Sequence, residues 1–189
     1  MAPLILASTS RYRRELLARL HLPFDAVAPG VDEVEVPDEL PAGRSRRLAE
    51  AKARAVAAAH PAATVIGSDQ VCECRGRVLD KPGTVERARE MLGWMSGQSV
   101  RFHTAVSVIA GGRHWRHVDR TVCQVRELDA DAISAYLERE PSLDTAGAFK
   151  VEGLGISLFS AVRSRDPTAL IGLPLIWLSA RLRALGRPV

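Results

Sequence analysis

Apolar positions along this chain change their period several times. Leu4-Ile5-Leu6-Ala7 is a short unbroken apolar run, and beyond it apolar residues return every three or four positions. The pattern predicts a strand over Leu4–Ala7 and a helix from about Ser10 to Leu20. After Pro23 a second strand covers Phe24–Ala28, and Pro29 to Pro37 reads as an acidic loop. A long helix is expected over roughly Pro41 to His60, with Leu48, Ala51, Ala55, Val56 and Ala59 at helical spacing and Pro61 ending it. Thr64–Cys74 reads as a strand, with Arg75-Gly76 turning the chain into Val78-Leu79.

The same alternation continues. Thr84 caps a helix that runs to about Met95 and stops near Gly97. Val100–Ala110 and Trp115–Val125 are β segments joined by Gly111-Gly112, a hairpin signal. Asp129 or Asp131 starts a helix reaching about Glu140, Gly147–Val151 and Ile156–Ala161 are short Gly-punctuated pieces, and Pro174–Leu185 is a C-terminal helix. No repeat or long linker interrupts the series. Helices and strands in this order predict an α/β fold, with the hairpin making its sheet mixed.

Composition narrows the class. At 189 residues the chain suits one domain, or one core with two lobes, and 47% hydrophobic with 25% charged residues is ordinary for a globular protein. No segment approaches 18 apolar residues and the opening apolar run is too short for a signal peptide, so a soluble, cytoplasmic protein is expected. The net charge of +4 is scattered, without a run of like charge or an aromatic stripe, which argues against a nucleic-acid arm. Cys72, Cys74 and Cys123 are too few for a disulfide framework and badly spaced for zinc; they read as reduced, semi-buried thiols. His114 and His117 have odd separation in a strand and face opposite sides.

Four polar clusters fall at the ends of predicted elements. Ser8-Thr9-Ser10 with Arg13 opens a helix, where unpaired backbone N–H groups and the dipole favour an anion; the plainer reading makes Ser10 a simple helix cap. Asp69 stands in the apolar run Thr64–Val71, a costly place for a carboxylate unless it is paired, metal-bound or at an open cleft, although a turn Asp is the rival reading. Asp32-Glu33 and Asp80-Lys81-Pro82 complete the set. Lysine occurs only at 52, 81 and 150. Lys52 by default faces solvent from mid-helix, and Lys81 before proline is by default a turn residue. Together the clusters point to metal-assisted phosphoryl chemistry: Glu33 and Asp69 suit a hard divalent cation, Lys52, Lys81 and Arg13 neutralise a polyphosphate, and Ser8 and Ser10 donate to it. No P-loop is present.

These residues in this order resemble the Maf family of nucleotide pyrophosphatases. The matching stretches are residues 4–10 with Arg13-Arg14, Val31-Asp32-Glu33, Ala51-Lys52-Ala53, residues 66–71, Lys81-Pro82, residues 146–153 and Ile171-Gly172-Leu173-Pro174-Leu175. The resemblance implies an inosine-triphosphatase-like two-lobed α/β fold, 1–189 as a single Maf-like domain, with an elongated mixed sheet and a central cleft. It implies cleavage of a nucleoside triphosphate to the monophosphate and pyrophosphate with a divalent cation (Mg, Mn or Co), in a cytoplasmic homodimer without a membrane or stable nucleic-acid partner. Asp69 looks like the carboxylate that readies water or organises the metal, and Glu33 shares the metal. Arg13, Lys52 and Lys81 hold the triphosphate with Ser8 and Ser10.

Substrate choice is implied at three positions. Tyr12, Gln70 and Glu152 resemble the branch that takes 7-methyl-GTP, whereas the dTTP/UTP branch carries Arg, Thr and Gln there. N7-methylation makes the purine cationic, which favours an aromatic face such as Tyr12, and the Glu152 carboxylate suits the guanine N1–H and N2–H pair. Two residues depart from that branch: Tyr12 stands where Trp is common, and Arg11 where Pro is usual, which loosens the helix start. The expected activity is therefore 7-methyl-GTP hydrolysis that clears modified nucleotides, with dTTP/UTP or unmethylated GTP as the alternative substrate. The family's name carries a septum-inhibition association, so a non-enzymatic regulator of cell division or nucleic-acid binder is the alternative from another class.

Overall fold

A computed structural model describes residues 2–189. In chain order the elements are β1 (Leu4–Ala7), α1 (Arg11–Ala18), β2 (Asp25–Val27), α2 (Pro41–Ala59), β3 (Thr64–Cys74), β4 (Arg77–Val78), α3 (Val85–Met95), β5 (Ser99–Ala110), β6 (Arg113–Val125), α4 (Ala130–Arg139), β7 (Phe159–Arg163) and α5 (Leu175–Ala184). The strands form a mixed sheet in the order β2-β1-β3-β5-β6-β7, with β4 paired to β3. The chain divides into two compact units. One holds the described residues up to 70 with 104–119 and 166–189; the other holds 71–103 and 120–165.

The first unit is a sheet with helices on both faces. β1 pairs in parallel with β2 and with β3, whose register sets Ala7 against Gly67. A strand alternates its side chains, so β1 feeds two cores. Leu4 and Leu6 pack with Leu16, Leu17, Ile66, Leu178 and Leu182, while Ile5 and Ala7 pack with Ala53, Val56 and Val65. The same alternation turns Val65, Gly67 and Asp69 toward α2 and leaves Ser68 and Gln70 on the opposite face. His114 reaches Ser107 and Glu50 while His117 stacks on Trp177, so the two histidines do face opposite ways.

In the second unit α3 buries Ala88, Leu92 and Met95, and α4 buries Ile133, Tyr136 and Leu137. Phe149 makes edge-on contacts with Phe102 and Phe159. The short piece Ile156–Ala161 divides: Leu154–Leu158 winds into a 3-10 turn, and β7 pairs with β6 from Phe159 against Val125. The cysteines are fully buried rather than semi-buried. Burial pushes the Cys72 thiol well above its ordinary range and the Cys123 thiol up to about 12.

Candidate active site

The site in the first unit is built by a close helix–strand approach. A Cβ placed on Gly67 would collide with the Ala49 carbonyl and come within 2.6 Å of the Ala53 nitrogen, so only glycine allows α2 to lie this close to β3. The buried stripe of α2 is Ser45, Leu48, Ala49, Lys52, Ala53 and Val56, and it differs from the expected one: Ala55 and Ala59 face solvent. Lys52 sits in that stripe one turn from Leu48 and from Val56, and is only 7% exposed. Its default reading as a solvent-facing residue is therefore corrected.

Lys52 Nζ lies 2.6 Å from Asp69 Oδ1 and 2.6 Å from Glu33 Oε1. Asp69, 5% exposed, is thus a paired carboxylate within a strand and not a turn residue. Burial raises its pKa above the ordinary carboxylate value; the charges of Lys52 and Arg13 pull it back down, and Glu33 pushes it up. Its Oδ2 takes no donor among the described residues, so it is open to water or a cation. Glu33 reaches Lys52 from the acidic loop, which Arg47 clips to α2: Arg47 donates to both Glu39 oxygens at 2.8 and 2.6 Å and to the Val34 carbonyl at 3.1 Å.

The end of β1 faces the same neighbourhood through its register with β3. Ser10 caps α1, accepting from the Arg13 backbone N–H at 3.4 Å, and Ser8 Oγ accepts from the Ser10 N–H at 3.1 Å. Each hydroxyl keeps its own proton to donate. α1 starts at Arg11, so the helix start is intact despite the missing proline. Arg11 instead lies over Tyr12, its guanidinium 4.7 Å from the ring centroid and 2.8 Å from the hydroxyl. The Arg13 Nε donates to the Gly172 carbonyl at 3.0 Å. Burial lowers the Arg13 pKa, and Asp69 and Glu33 act to raise it.

On the other face of β3, Gln70 Nε2 lies 2.9 Å from Thr104 Oγ1 and 2.9 and 3.0 Å from the Ala169 and Leu170 carbonyls. Its donor capacity is turned inward, and its Oε1 remains. Lys81 and Glu152 belong to the second unit and are both exposed. Lys81 precedes buried Pro82 in a stretch tied by the Gly83 N–H to the Leu143 carbonyl. Glu152 rides on a turn braced by Glu140, whose carboxylate accepts from the Gly155 N–H at 3.1 Å.

Structure brings Arg13, Glu33, Lys52 and Asp69 into one charged cluster. Sequence reading missed Arg47, which clips the Glu33 loop to α2, and Asp166 and Thr168, which brace the turn carrying Gly172; Glu140, which braces the turn under Glu152 in the second unit, was missed too. Leu48, Lys52 and Val56 follow each other at four-residue steps, the spacing that puts Lys52 in the buried stripe of α2. Among the described residues no group of three or more His, Cys, Asp and Glu is arranged to hold a metal ion. Two carboxylates are nevertheless a fitting donor set for a hard cation that takes its remaining ligands from water and phosphate.

An α/β sheet that gathers a capped helix start, an arginine and a lysine-bridged carboxylate pair beyond its parallel strands suits a polyphosphate better than a neutral substrate. The chain belongs to the Maf family: the model for the Maf-like protein matches residues 3–185. It is 58% identical over 186 residues to the 7-methyl-GTP pyrophosphatase of Xanthomonas axonopodis pv. citri, covering 98% of each chain. It is 55% identical over 185 residues to the protein of the same name from Bordetella pertussis, covering 97% of this chain and 91% of that one. Among solved structures, the Staphylococcus aureus Ham1 protein aligns over 65% of this chain and 71% of that one, with 15% identity and a TM-score of 0.45.

Proposed function

We propose that this protein hydrolyses 7-methyl-GTP to 7-methyl-GMP and pyrophosphate. The observation that carries the reading is Asp69: a buried carboxylate held by Lys52 on one oxygen and open on the other, in a chain whose relatives are named 7-methyl-GTP pyrophosphatase. Asp69 Oδ2 takes the proton of a water whose oxygen bonds to the α-phosphorus, and the bond from that phosphorus to the bridging oxygen breaks as pyrophosphate leaves. Lys52 holds Asp69 in orientation and keeps it ionised, ready to accept the proton. Arg13, Lys81 and the hydroxyls of Ser8 and Ser10 bind the phosphate oxygens.

For the base, Tyr12 offers a ring face to the cationic purine and Glu152 accepts the guanine N1–H and N2–H pair. Gln70 contributes its Oε1. Glu33 and Asp69 are the residues that would hold a divalent cation (Mg, Mn or Co), which supplies charge neutralisation to the triphosphate when bound. The protein is further proposed to work in the cytoplasm as a homodimer of a single Maf-like domain; among the described residues no helix is long and apolar enough to cross a membrane.

Pyrophosphate release from 7-methyl-GTP, GTP, dTTP and UTP, with and without chelator, tests this reading. The expected result is fastest turnover of 7-methyl-GTP, abolished by chelation. Faster turnover of dTTP or UTP would overturn the roles given to Tyr12, Gln70 and Glu152. Absence of release from any nucleotide would favour the regulatory alternative.

A further inference from the structure

Arg13 is held at one end only. Its Nε donates to the Gly172 carbonyl, and among the described residues its terminal nitrogens make no hydrogen bond. A guanidinium partly withdrawn from water, with four N–H groups unspent beside Asp69 and Glu33, has its direction set by that single carbonyl.

The Gly172 carbonyl is fixed from below by a side-chain network. Gly172 has φ of 131°, open only to glycine, and its N–H donates to the Thr168 and Ala169 carbonyls at 3.2 and 3.0 Å. Ser68 Oγ lies 3.0 Å from the Gly172 carbonyl and 2.7 Å from that of Ala105, so its one proton is shared between them. Asp166, 2% exposed, accepts from the Thr168 N–H at 2.9 Å and its hydroxyl at 2.6 Å on one oxygen. Its other oxygen accepts from the Ile176 N–H at 2.6 Å. Thr168 Oγ1 in turn accepts from the Leu175 N–H at 2.9 Å and lies 2.8 Å from the Leu173 carbonyl.

α5 has no side-chain cap from its own N-cap residue, Pro174, so Asp166 and Thr168 serve its first two N–H groups from outside. One bracket therefore ties the start of α5 to the turn that carries Gly172. We infer that Asp166 and Thr168 are positioning residues for Arg13: they set the Gly172 carbonyl that aims the Arg13 guanidinium at the triphosphate. The inference rests on the pyrophosphatase reading and on Arg13 as a phosphate ligand. Misaiming a charge-assisted contact by a fraction of an ångström weakens what it does in the transition state without removing the group.

A double-mutant cycle on pyrophosphate release from 7-methyl-GTP tests it, with folding followed by circular dichroism and melting. Thr168→Val is expected to lower kcat/KM by about tenfold or more, and Thr168→Ser, which keeps the hydroxyl, to stay within about threefold of the parent. In an Arg13→Ala background, Thr168→Val is expected to cost less than about twofold further, because the group it aims is gone. Asp166→Asn should follow the same pattern; if that variant fails to fold, the Thr168 pair decides. Equal losses in both backgrounds, or no loss in the parent, would overturn the positioning role while leaving the pyrophosphatase reading intact. Full activity in Arg13→Ala alone would overturn Arg13 as a phosphate ligand, and the bracket's purpose with it.

Discussion

Lys52 and Asp69 form a buried ion pair at 2.6 Å between α2 and β3, and the same ammonium reaches Glu33 at 2.6 Å. One cation thus ties a strand carboxylate to a loop carboxylate. Replacing Asp69 by Asn keeps the shape and removes the proton acceptor. Turnover is expected to fall by about 10²–10⁴-fold, read as pyrophosphate release, with the circular dichroism spectrum unchanged. Lys52→Met should lose activity and also stability, by about 3–5 kcal/mol in urea denaturation, because it leaves a buried carboxylate without its partner. A Lys52→Met protein of parental stability and rate would show the pair to be ornamental.

Gly67 is the reason the pair can form. Gly67→Ala forces α2 off β3, at an expected cost of about 1–3 kcal/mol in denaturant unfolding, and it separates Lys52 from Asp69. Activity should therefore fall even at temperatures where the variant is fully folded. Unaltered kcat at such a temperature would mean that the helix can shift without moving Lys52.

Arg11 occupies a face of the Tyr12 ring. A cationic base stacking there competes with the guanidinium, and cation–π contacts at exposed sites are worth about 0.5–1 kcal/mol. Arg11→Ala is expected to lower KM for 7-methyl-GTP by about twofold to fivefold, with a smaller change for GTP. Parallel shifts for both nucleotides would point to simple charge attraction instead.

Glu152 carries the expected reading of the guanine edge. Glu152→Gln should lose much of the preference for 7-methyl-GTP over UTP while the pyrophosphate-forming step survives with other nucleotides. Steady-state kinetics on the nucleotide panel decide, and an unchanged order of substrates would remove Glu152 from the base site.

Acid should weaken the fold through two histidines. Burial lowers the pKa of His114 and of His103 below the ordinary 6.5, against the opposing charges of Glu50 and Glu73. The unfolded chain then binds more protons than the folded one below pH 6.5, so stability is present above that value and falls as pH drops through it. Melting temperature measured across this range should decline on the acid side, and His114→Gln should flatten the decline. An identical slope in the variant would assign the effect to other groups.

The elements were legible because their signals are local. Two-residue and 3.6-residue periods, the Gly111-Gly112 turn and the caps at Ser10 and Thr84 depend on neighbours in the chain, and the observed strands and helices follow them within a few residues. Asp69 was also legible, since a carboxylate in an apolar run needs a partner wherever the strand lies. Which partner it takes was not. Lys52 reads as a solvated mid-helix lysine until the small contact at Gly67 turns its stripe inward, and nothing local to Gln70 tells that the Ala169 and Leu170 carbonyls take up its amide.

Arg13 shows the division most clearly. Its sequence position places it in the first turn of a helix behind two serines, which offers a place for an anion beside the plainer reading of a helix cap. Its aim comes from a carbonyl 159 residues away, held by Asp166 and Thr168. Periodicity along a chain encodes which face of an element is buried; hydrogen bonds between distant segments form only once those faces have packed, and it is the packing that chose the partners of Asp69, Gln70 and Arg13.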